Sequence, residues 1–207
     1  MAVITKISPQ KKRQGYYNIF VDGKYTLALS ELDLTVFGLR VDQVLTPGLL
    51  NELRGAQAKS KSYNFALRYL ALRPRSINEV KDYLTTRKDF SIEDADTTIT
   101  RLIEQNYLND QDFAAMWVRN RLLLKPKSTS VLRLELIKKG IDKDIITEVL
   151  SQLDETAQIA SLGELITKKM RQTKYQNKQK LIEYLSRQGY SYSLVNKTLE
   201  ELGLFEN

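Results

Sequence analysis

The chain has 207 residues, of which 42% are hydrophobic, and it contains neither cysteine nor histidine. These absences exclude disulfides and thiolate metal sites, and they remove the commonest metal ligand and general base. The formal net charge of +7 favours a polyanionic partner such as nucleic acid, or an acidic protein groove. No apolar run approaches the ~18 residues of a membrane helix, and the first residues do not resemble an export signal, so we expect a soluble cytoplasmic protein.

The N-terminal residues predict a small antiparallel sheet. Branched and aromatic side chains are concentrated in three short segments, and Asp22-Gly23 between the last two favours a type I′ hairpin turn. The predicted strands are residues 3–7, 15–21 and 24–29. The chain is therefore expected to begin with a β-containing head.

Two helices are predicted to follow the sheet. Ser30 is a capping residue for a short helix over Glu31–Phe37. Thr46 and Pro47 combine a capping residue with proline at the first helical position. They open a second helix that we expect to run to about Ala58.

The rest of the chain repeats one pattern three times. In each copy a helix ending in cations is followed by a turn, a second helix with leucine in its last turn, and a third amphipathic helix. The leucines are Leu84, Leu136 and Leu185, separated by 52 residues (136 − 84) and 49 residues (185 − 136). Gly140 and Gly189 follow the second helix in the last two copies. Such a period is typical of a supersecondary unit that stacks on itself, because one unit cannot bury its apolar face alone.

These observations predict a mainly α fold, with three tandem three-helix repeats in a curved solenoid and a small N-terminal antiparallel β element. The predicted helices are residues 63–73, 76–88 and 91–106 in the first repeat, 110–125, 128–139 and 142–153 in the second, and 155–174, 177–188 and 191–202 in the third. The expected domains are the head at 1–58 and the repeats at 59–109, 110–153 and 154–207. Residues 56–62 are small, polar and basic, and they predict either a hinge before the first repeat or a continuous helix.

Cations recur at the junction between the first and second helix of each repeat, and they are the first predicted partner- or DNA-binding residues. They are Arg73 and Arg75, Lys125 and Lys127, and Lys174 and Lys178. If the repeats stack in register, the three junctions align as a basic stripe. The alternative is that each cation only complements the dipole of a helix end, which needs no partner and contributes at most ~1 kcal/mol.

Two longer stretches without acidic residues extend this prediction. Every charge between Asp112 and Glu135 is positive, and so is every charge between Glu164 and Glu183. These stretches add Arg119, Arg121, Lys168, Lys169 and Arg171 to the candidate binding residues. A solvated helix face usually intersperses acids that pair with its cations, so these stretches favour contact with a partner.

Neighbouring aromatic and acidic residues have simpler interpretations. Trp117 is expected to pack in the core, with stacking against a partner as the alternative. Tyr175 is expected to cover the core, with stacking on a nucleic-acid base as the alternative. Glu93, Asp94 and Asp96 lie in the first turn of a predicted helix, where negative charge is favourable, so we predict no metal site.

Several segments form an ordered succession of motifs. They are Asn18-Ile-Phe-Val-Asp-Gly23 and Phe37-Gly-Leu-Arg40 in the head, Ala66-Leu-Arg-Tyr-Leu-Ala-Leu-Arg-Pro-Arg-Ser76 and Glu79-Val-Lys-Asp-Tyr-Leu84 in the first repeat, and Leu102-Ile-Glu-Gln-Asn-Tyr-Leu-Asn-Asp110-Gln-Asp-Phe113-Ala114, Val118-Arg-Asn-Arg121 and Leu134-Glu-Leu-Ile-Lys-Lys-Gly-Ile141 after it. This succession resembles the RecX family, regulators of the RecA recombinase. The similarity covers almost the whole chain and depends on the order of the segments.

The resemblance implies a non-enzymatic protein that binds the helical groove of the RecA–DNA filament. Such a protein would bridge neighbouring RecA protomers and restrain ATP turnover, strand exchange and coprotease activity in DNA repair and the SOS response. We expect it to be a monomer. Some family members also bind DNA directly, and the alternative function is a sequence-tolerant nucleic-acid-binding protein that acts through DNA. No phosphate-binding loop motif is present, so we predict no nucleotide or other cofactor.

Overall fold

The structure, a computed structural model, describes residues 2–124 and 126–205. Contacts between residues group the chain into two units. The first unit contains the chain up to Pro74 together with Val80–Tyr107, and the second contains Arg75–Glu79 together with the chain from Leu108 onward. The predicted boundaries between the head and the individual repeats stay predictions.

The first unit begins with the predicted antiparallel sheet. Its strands are β1 (Ala2–Pro9), β2 (Tyr16–Val21), β3 (Lys24–Ser30) and β4 (Val44–Leu45), in the order β3-β2-β1-β4. The predicted hairpin turn is confirmed, because Asp22 and Gly23 both have positive φ, at 49° and 78°, as a type I′ turn requires. The sequence pattern did not indicate β4, which has only two residues and pairs with the start of β1.

The two helices after the sheet start where the capping residues predict. Helix α1 (Glu31–Val36) has Ser30 as its N-cap in a capping box, and α2 (Pro47–Leu70) has Thr46 as its N-cap. The second helix, however, continues well past Ala58, so residues 56–62 are helical and do not form a hinge. Most of these residues are good helix formers, and Ser62 is fully buried with its hydroxyl hydrogen-bonded to that of Thr98.

The remaining helices follow the predicted pattern, except that the first helix of the first repeat, predicted at residues 63–73, is the C-terminal part of α2 and not a separate helix. They are α3 (Ile77–Asp82), a π-helical turn (Tyr83–Arg87), α4 (Ile92–Glu104), α5 (Asp110–Leu124), α6 (Thr129–Lys138), α7 (Lys143–Ser151), α8 (Glu155–Met170), a 3₁₀ turn (Thr173–Gln176), α9 (Lys178–Arg187) and α10 (Tyr192–Glu201). The marker residues Leu84, Leu136 and Leu185 are each 0% exposed. The predicted class, mainly helical with a small N-terminal antiparallel sheet, is confirmed.

The described helices include none that is both long and apolar enough to span a bilayer.

In the second unit, the second helices of successive repeats are joined by a recurring hydrogen bond. The hydroxyl of Ser76, just before α3, donates to the carbonyl of Lys139 at the end of α6, at 2.7 Å. The hydroxyl of Ser128, the N-cap of α6, donates to the carbonyl of Gln188 at the end of α9, at 2.8 Å. Each serine therefore satisfies a carbonyl that a helix C-terminus leaves without an intrahelical partner.

The glycines after α6 and α9 permit this close approach. Gly140 has a φ of +74°, and a Cβ atom at this position would lie 2.4 Å from the Cβ atom of Asn78. Gly189 has a φ of +81°, and its Cβ atom would lie 2.7 Å from the hydroxyl oxygen of Ser128. Both the left-handed backbone and the lack of space require glycine, which explains why the last two repeats share it.

Candidate basic surface

The junction cations of the first repeat belong to different units. Arg73, in the first unit, is exposed, and its guanidinium donates to the carbonyl of Pro74 at 3.0 Å. Arg75, in the second unit, is half-buried and immediately precedes Ser76, the serine bonded to the end of α6. The predicted alignment of three junctions in one stripe therefore stays a prediction.

The cations of the second repeat differ in their environments. Arg119 is exposed on α5, whereas Lys127 is half-buried directly before the Ser128 cap. Arg121 is half-buried, and its Nε atom lies 2.7 Å from a carboxylate oxygen of Glu135. The remaining predicted residue of this repeat, Lys125, lies outside the described residues. Arg121 lies in the stretch between Asp112 and Glu135 that has no acidic residue, yet in the fold it is paired with Glu135 itself.

Trp117 lies at the centre of the contacts around Arg121. Its indole Nε1–H donates at 2.8 Å to the same Glu135 oxygen that Arg121 contacts. The ring centroid is 4.7 Å from the guanidinium carbon of Arg121 and 4.9 Å from the Nζ atom of Lys139. The same Nζ atom lies 2.6 Å from a carboxylate oxygen of Glu79. Trp117 also packs against the hydrophobic core of the second repeat, as predicted. These contacts hold Arg121 and Lys139 within the unit.

We expect Arg121→Ala to destabilise the protein by about 1–3 kcal/mol, because the half-buried Glu135 carboxylate loses a charge-assisted hydrogen bond. The matched control is Arg119→Ala, on the same helix, where an exposed side chain should change stability by no more than ~0.5 kcal/mol. Urea unfolding followed by Trp117 fluorescence measures both changes. Equal stability of the two variants would show that the Arg121–Glu135 pair contributes nothing.

The cations of the third repeat are the more accessible group. Lys168 and Arg171 lie around the end of α8, Lys174 lies in the 3₁₀ turn, and Lys178 is the first residue of α9. All four are exposed, and none forms an ion pair with an acidic side chain in the described part of the chain. We call these four residues the third-repeat basic surface. Glu164 and Glu201 line the same cavity as Lys168 and Arg171 but form no ion pair with them.

Two aromatic rings lie beside this surface. Tyr175 and Tyr184 pack with their centroids 5.0 Å apart against the core of the third repeat. The half-buried Lys169 lies 4.7 Å from the ring of Tyr184 and 5.6 Å from that of Tyr175. Tyr175 thus covers the core, as predicted, and Lys169 is held over the two rings. Lys180, which was not among the predicted binding residues although it lies in the same acid-free stretch, is exposed in the first turn of α9.

The described residues contain no group of carboxylates arranged to hold a metal ion. The architecture is a small sheet followed by three-helix repeats, and the third repeat exposes four cations that form no ion pair with a described acid. Together these features define a helical-repeat protein suited to contact with a partner over its surface.

Comparison with known proteins assigns the family. Models of RecX match three parts of the chain: the N-terminal domain of the regulatory protein over residues 2–46, the first three-helix domain over residues 63–102, and the second three-helix domain over residues 109–150. The chain belongs to the RecX family of regulatory proteins.

Individual relatives agree with this assignment. Regulatory protein RecX of Lactobacillus delbrueckii subsp. bulgaricus is 35% identical over 207 residues, covering 98% of this chain and 75% of the relative. Regulatory protein RecX of Bacillus subtilis is 34% identical over 206 residues, covering 98% and 78%. A crystal structure of regulatory protein RecX matches with a TM-score of 0.80 and 27% identity, covering 97% of this chain and all of the other.

Proposed function

We propose that this protein regulates the RecA recombinase by binding the helical groove of the RecA–DNA filament. In this proposal the protein catalyses no reaction itself and acts in the cytoplasm as a monomer. It restrains ATP turnover, strand exchange and coprotease activity by contacting neighbouring RecA protomers. Family membership supports a regulatory role, and the resemblance described above supports RecA as the partner.

The observation that supports a surface contact most strongly is the third-repeat basic surface. Elsewhere in the second unit, Arg121, Lys139 and Lys197 are paired with glutamates. Lys168, Arg171, Lys174 and Lys178 have no such partner among the described residues and remain exposed. Unneutralised charge of one sign attracts a partner of the opposite sign and raises the association rate. Acidic side chains of the groove, or the phosphates of its DNA, supply that opposite charge.

The experiment that tests this proposal measures each component separately. Labelled protein is titrated with RecA in the absence of DNA, with single-stranded DNA in the absence of RecA, and with the assembled filament. Binding is followed by fluorescence anisotropy, and RecA ATP turnover is measured in parallel on the filament. We expect binding to the filament to be tightest and to accompany loss of ATP turnover. Filament binding no tighter than binding to DNA alone would contradict the proposal.

The second candidate function is sequence-tolerant nucleic-acid binding, and it is favoured by the half-buried Lys169 beside Tyr175 and Tyr184 and by the exposed Lys174 beside Tyr175. Four contacts to phosphates of single-stranded DNA predict a log–log salt dependence of affinity with a slope of roughly −3. We expect direct DNA binding with this modest slope and without strong sequence preference. Anisotropy titrations between low and physiological salt measure it, and salt-independent binding would contradict the role of the basic surface.

A further inference from the structure

Each of the three repeats has a groove between its first and its third helix. Val118 of α5 and Val149 of α7 line the groove of the second repeat. Their counterparts 49 residues later (167 − 118 and 198 − 149), Thr167 of α8 and Thr198 of α10, line the groove of the third repeat. In the first repeat the corresponding groove lies between α2 and α4 and is lined by Thr98, 51 residues before Val149 (149 − 98). The three grooves are therefore equivalent features of one repeated unit.

The start of a further helix borders each of the first two grooves. Leu32 and Asp33, in the first turn of α1, line the groove of the first repeat. Ala157, in the first turn of α8, lines the groove of the second repeat. Both first turns combine an apolar residue with acidic residues, which are Glu31 and Asp33 in α1 and Glu155 in α8. The groove of this repeated unit is thus a place where the acidic start of another helix packs.

The groove of the third repeat has no such neighbour in the described part of the chain. All its lining residues belong to α8, to α10 or to the C-cap residues of these two helices. Its volume is about 840 Å³, compared with about 440 Å³ in the first repeat and about 370 Å³ in the second. We call this open feature the third-repeat groove. It has room for the helix start that borders the other two.

The floor of the third-repeat groove is apolar. Ile159 and Gly163 of α8 are buried there, and Leu202, the C-cap of α10, is 40% exposed. Because Gly163 has no side chain, α8 and α10 approach closely, and a Cβ atom at this position would lie 3.7 Å from a methyl group of Leu202. An apolar side chain of a partner gains free energy by covering the exposed part of Leu202.

Charged side chains of both signs line the third-repeat groove. Glu164 and Glu201 are the acids, Lys168 and Arg171 are the cations, and no ion pair joins them. Lys168 and Arg171 follow Glu164 along α8 by about 6 Å and 10 Å, at 1.5 Å per residue. A helix start also presents both signs, because its free N–H groups and dipole are positive while acidic side chains are favoured in its first turn. The charges of the groove therefore complement a helix start.

We propose that the third-repeat groove binds the first turn of a helix of a partner protein, in which an apolar side chain accompanies an acidic one. The apolar side chain covers Leu202, the acidic side chain contacts Lys168 and Arg171, and the positive helix end faces Glu164. This inference rests on the proposed function, under which the partner is a RecA protomer of the filament. It assigns two cations of the third-repeat basic surface to a protein contact and not to DNA.

Photo-crosslinking identifies what occupies the groove. The photoreactive residue p-benzoylphenylalanine replaces Thr156 or Thr167, two exposed residues of the groove wall, in the full chain. Each variant is irradiated with the assembled RecA–DNA filament, and the products are mapped by mass spectrometry. We expect crosslinks to RecA within the first two turns of a helix that carries acidic side chains there. The matched control carries the same photoreactive residue in place of Ser186, exposed on α9 outside the groove, and should give only background.

Crosslinks to a second copy of the chain, to DNA or to a part of RecA other than a helix start would overturn the inference. A yield no higher than that of the Ser186 control would also overturn it. Each of these results leaves the proposed function standing if the filament is still bound.

A groove-filling variant measures how much the groove contributes to binding. Ala160→Trp places a bulky side chain at an exposed position of the wall without a change of charge. We expect filament binding to weaken roughly tenfold, because the side chain excludes the partner helix from the centre of the contact. Affinity for single-stranded DNA alone should stay unchanged. Ser186→Trp is the control and should change neither affinity, and thermal melts establish that both variants are folded.

The outcomes separate this inference from the proposed function. Native affinity of Ala160→Trp for the filament would overturn the groove contact and leave the proposed function intact. An equal loss of affinity for DNA alone would show that the groove takes nucleic acid, which also overturns the inference. Failure of the native chain to bind the filament would overturn both.

Discussion

Leu136→Ala is expected to destabilise the protein by ~2–5 kcal/mol, the range for truncation of a fully buried leucine. Leu136 is 0% exposed in the core of the second repeat, with Phe113, Val118 and Ile146 in the same cluster. The truncation removes apolar contacts and leaves a cavity that the surrounding helices fill only in part. Because a small domain typically has only about 5–15 kcal/mol of stability, this single change is a large fraction of the total. Urea unfolding measures the loss.

The control for this change is Leu134→Ala on the same helix. Leu134 is 58% exposed, so the identical truncation removes little buried surface and should change the free energy of unfolding by at most ~0.5 kcal/mol. A loss below ~1 kcal/mol for Leu136→Ala would contradict the core role of the repeat leucine. Comparable losses in both variants would mean that burial does not determine how much free energy of unfolding each truncation removes.

Reversal of the third-repeat basic surface is expected to reduce filament binding strongly. The variant replaces Lys168, Arg171, Lys174 and Lys178 with glutamate. Each change removes an attraction and adds repulsion against acidic groove residues or phosphates. We expect loss of most of the inhibition of RecA ATP turnover at protein concentrations where the native chain inhibits fully. Charge reversal near the end of α8 also opposes the helix dipole, so a modest loss of stability is expected, of about 0.3–1 kcal/mol per terminal charge.

The matched control reverses four exposed lysines in the strands of the sheet and the loop between β1 and β2, and thus changes the net charge by the same amount. They are Lys6, Lys11, Lys12 and Lys24. Thermal melts of both variants establish that they remain folded. Full inhibition by the third-repeat variant, together with a folded melt, would refute the basic-surface hypothesis. Loss of inhibition only in the control variant would move the contact to the N-terminal sheet.

Local chemistry explains why much of the fold was predictable. Asp22-Gly23 accepts the two positive φ angles that a type I′ turn needs, and few other pairs do so at low cost. Ser30, Thr46 and Ser91 each accept an N–H from the first turn of the helix that follows. Such signals act within a few residues and can be read directly from the sequence. The periodic apolar residues likewise identified the helices that build the repeats.

The prediction for residues 56–62 shows that local sequence signals do not determine every element of the fold. Residues 56–62 have a composition that suits both a linker and a helix, and helix propensity alone did not decide between them. Burial of Ser62 and its hydrogen bond to Thr98, 36 residues away, belong to the packing of α2 against α4. The continuous helix therefore depends on a contact that lies far away in sequence.

By itself, the sequence determined the class of fold, the three repeats with their buried leucines, the family resemblance and the excess of positive charge. The resemblance depends on the ordered succession of motifs, and the other properties follow from composition, periodicity and local capping, none of which depends on how the helices pack. The tertiary structure alone decided which cations are paired, because it brings Glu135 to Arg121 and Glu79 to Lys139, whereas Lys168 and Arg171 form no ion pair with a described acid. It also decided that residues from the starts of α6, α8 and α10 line one cavity, because only packing brings residues that are far apart in sequence to the same place.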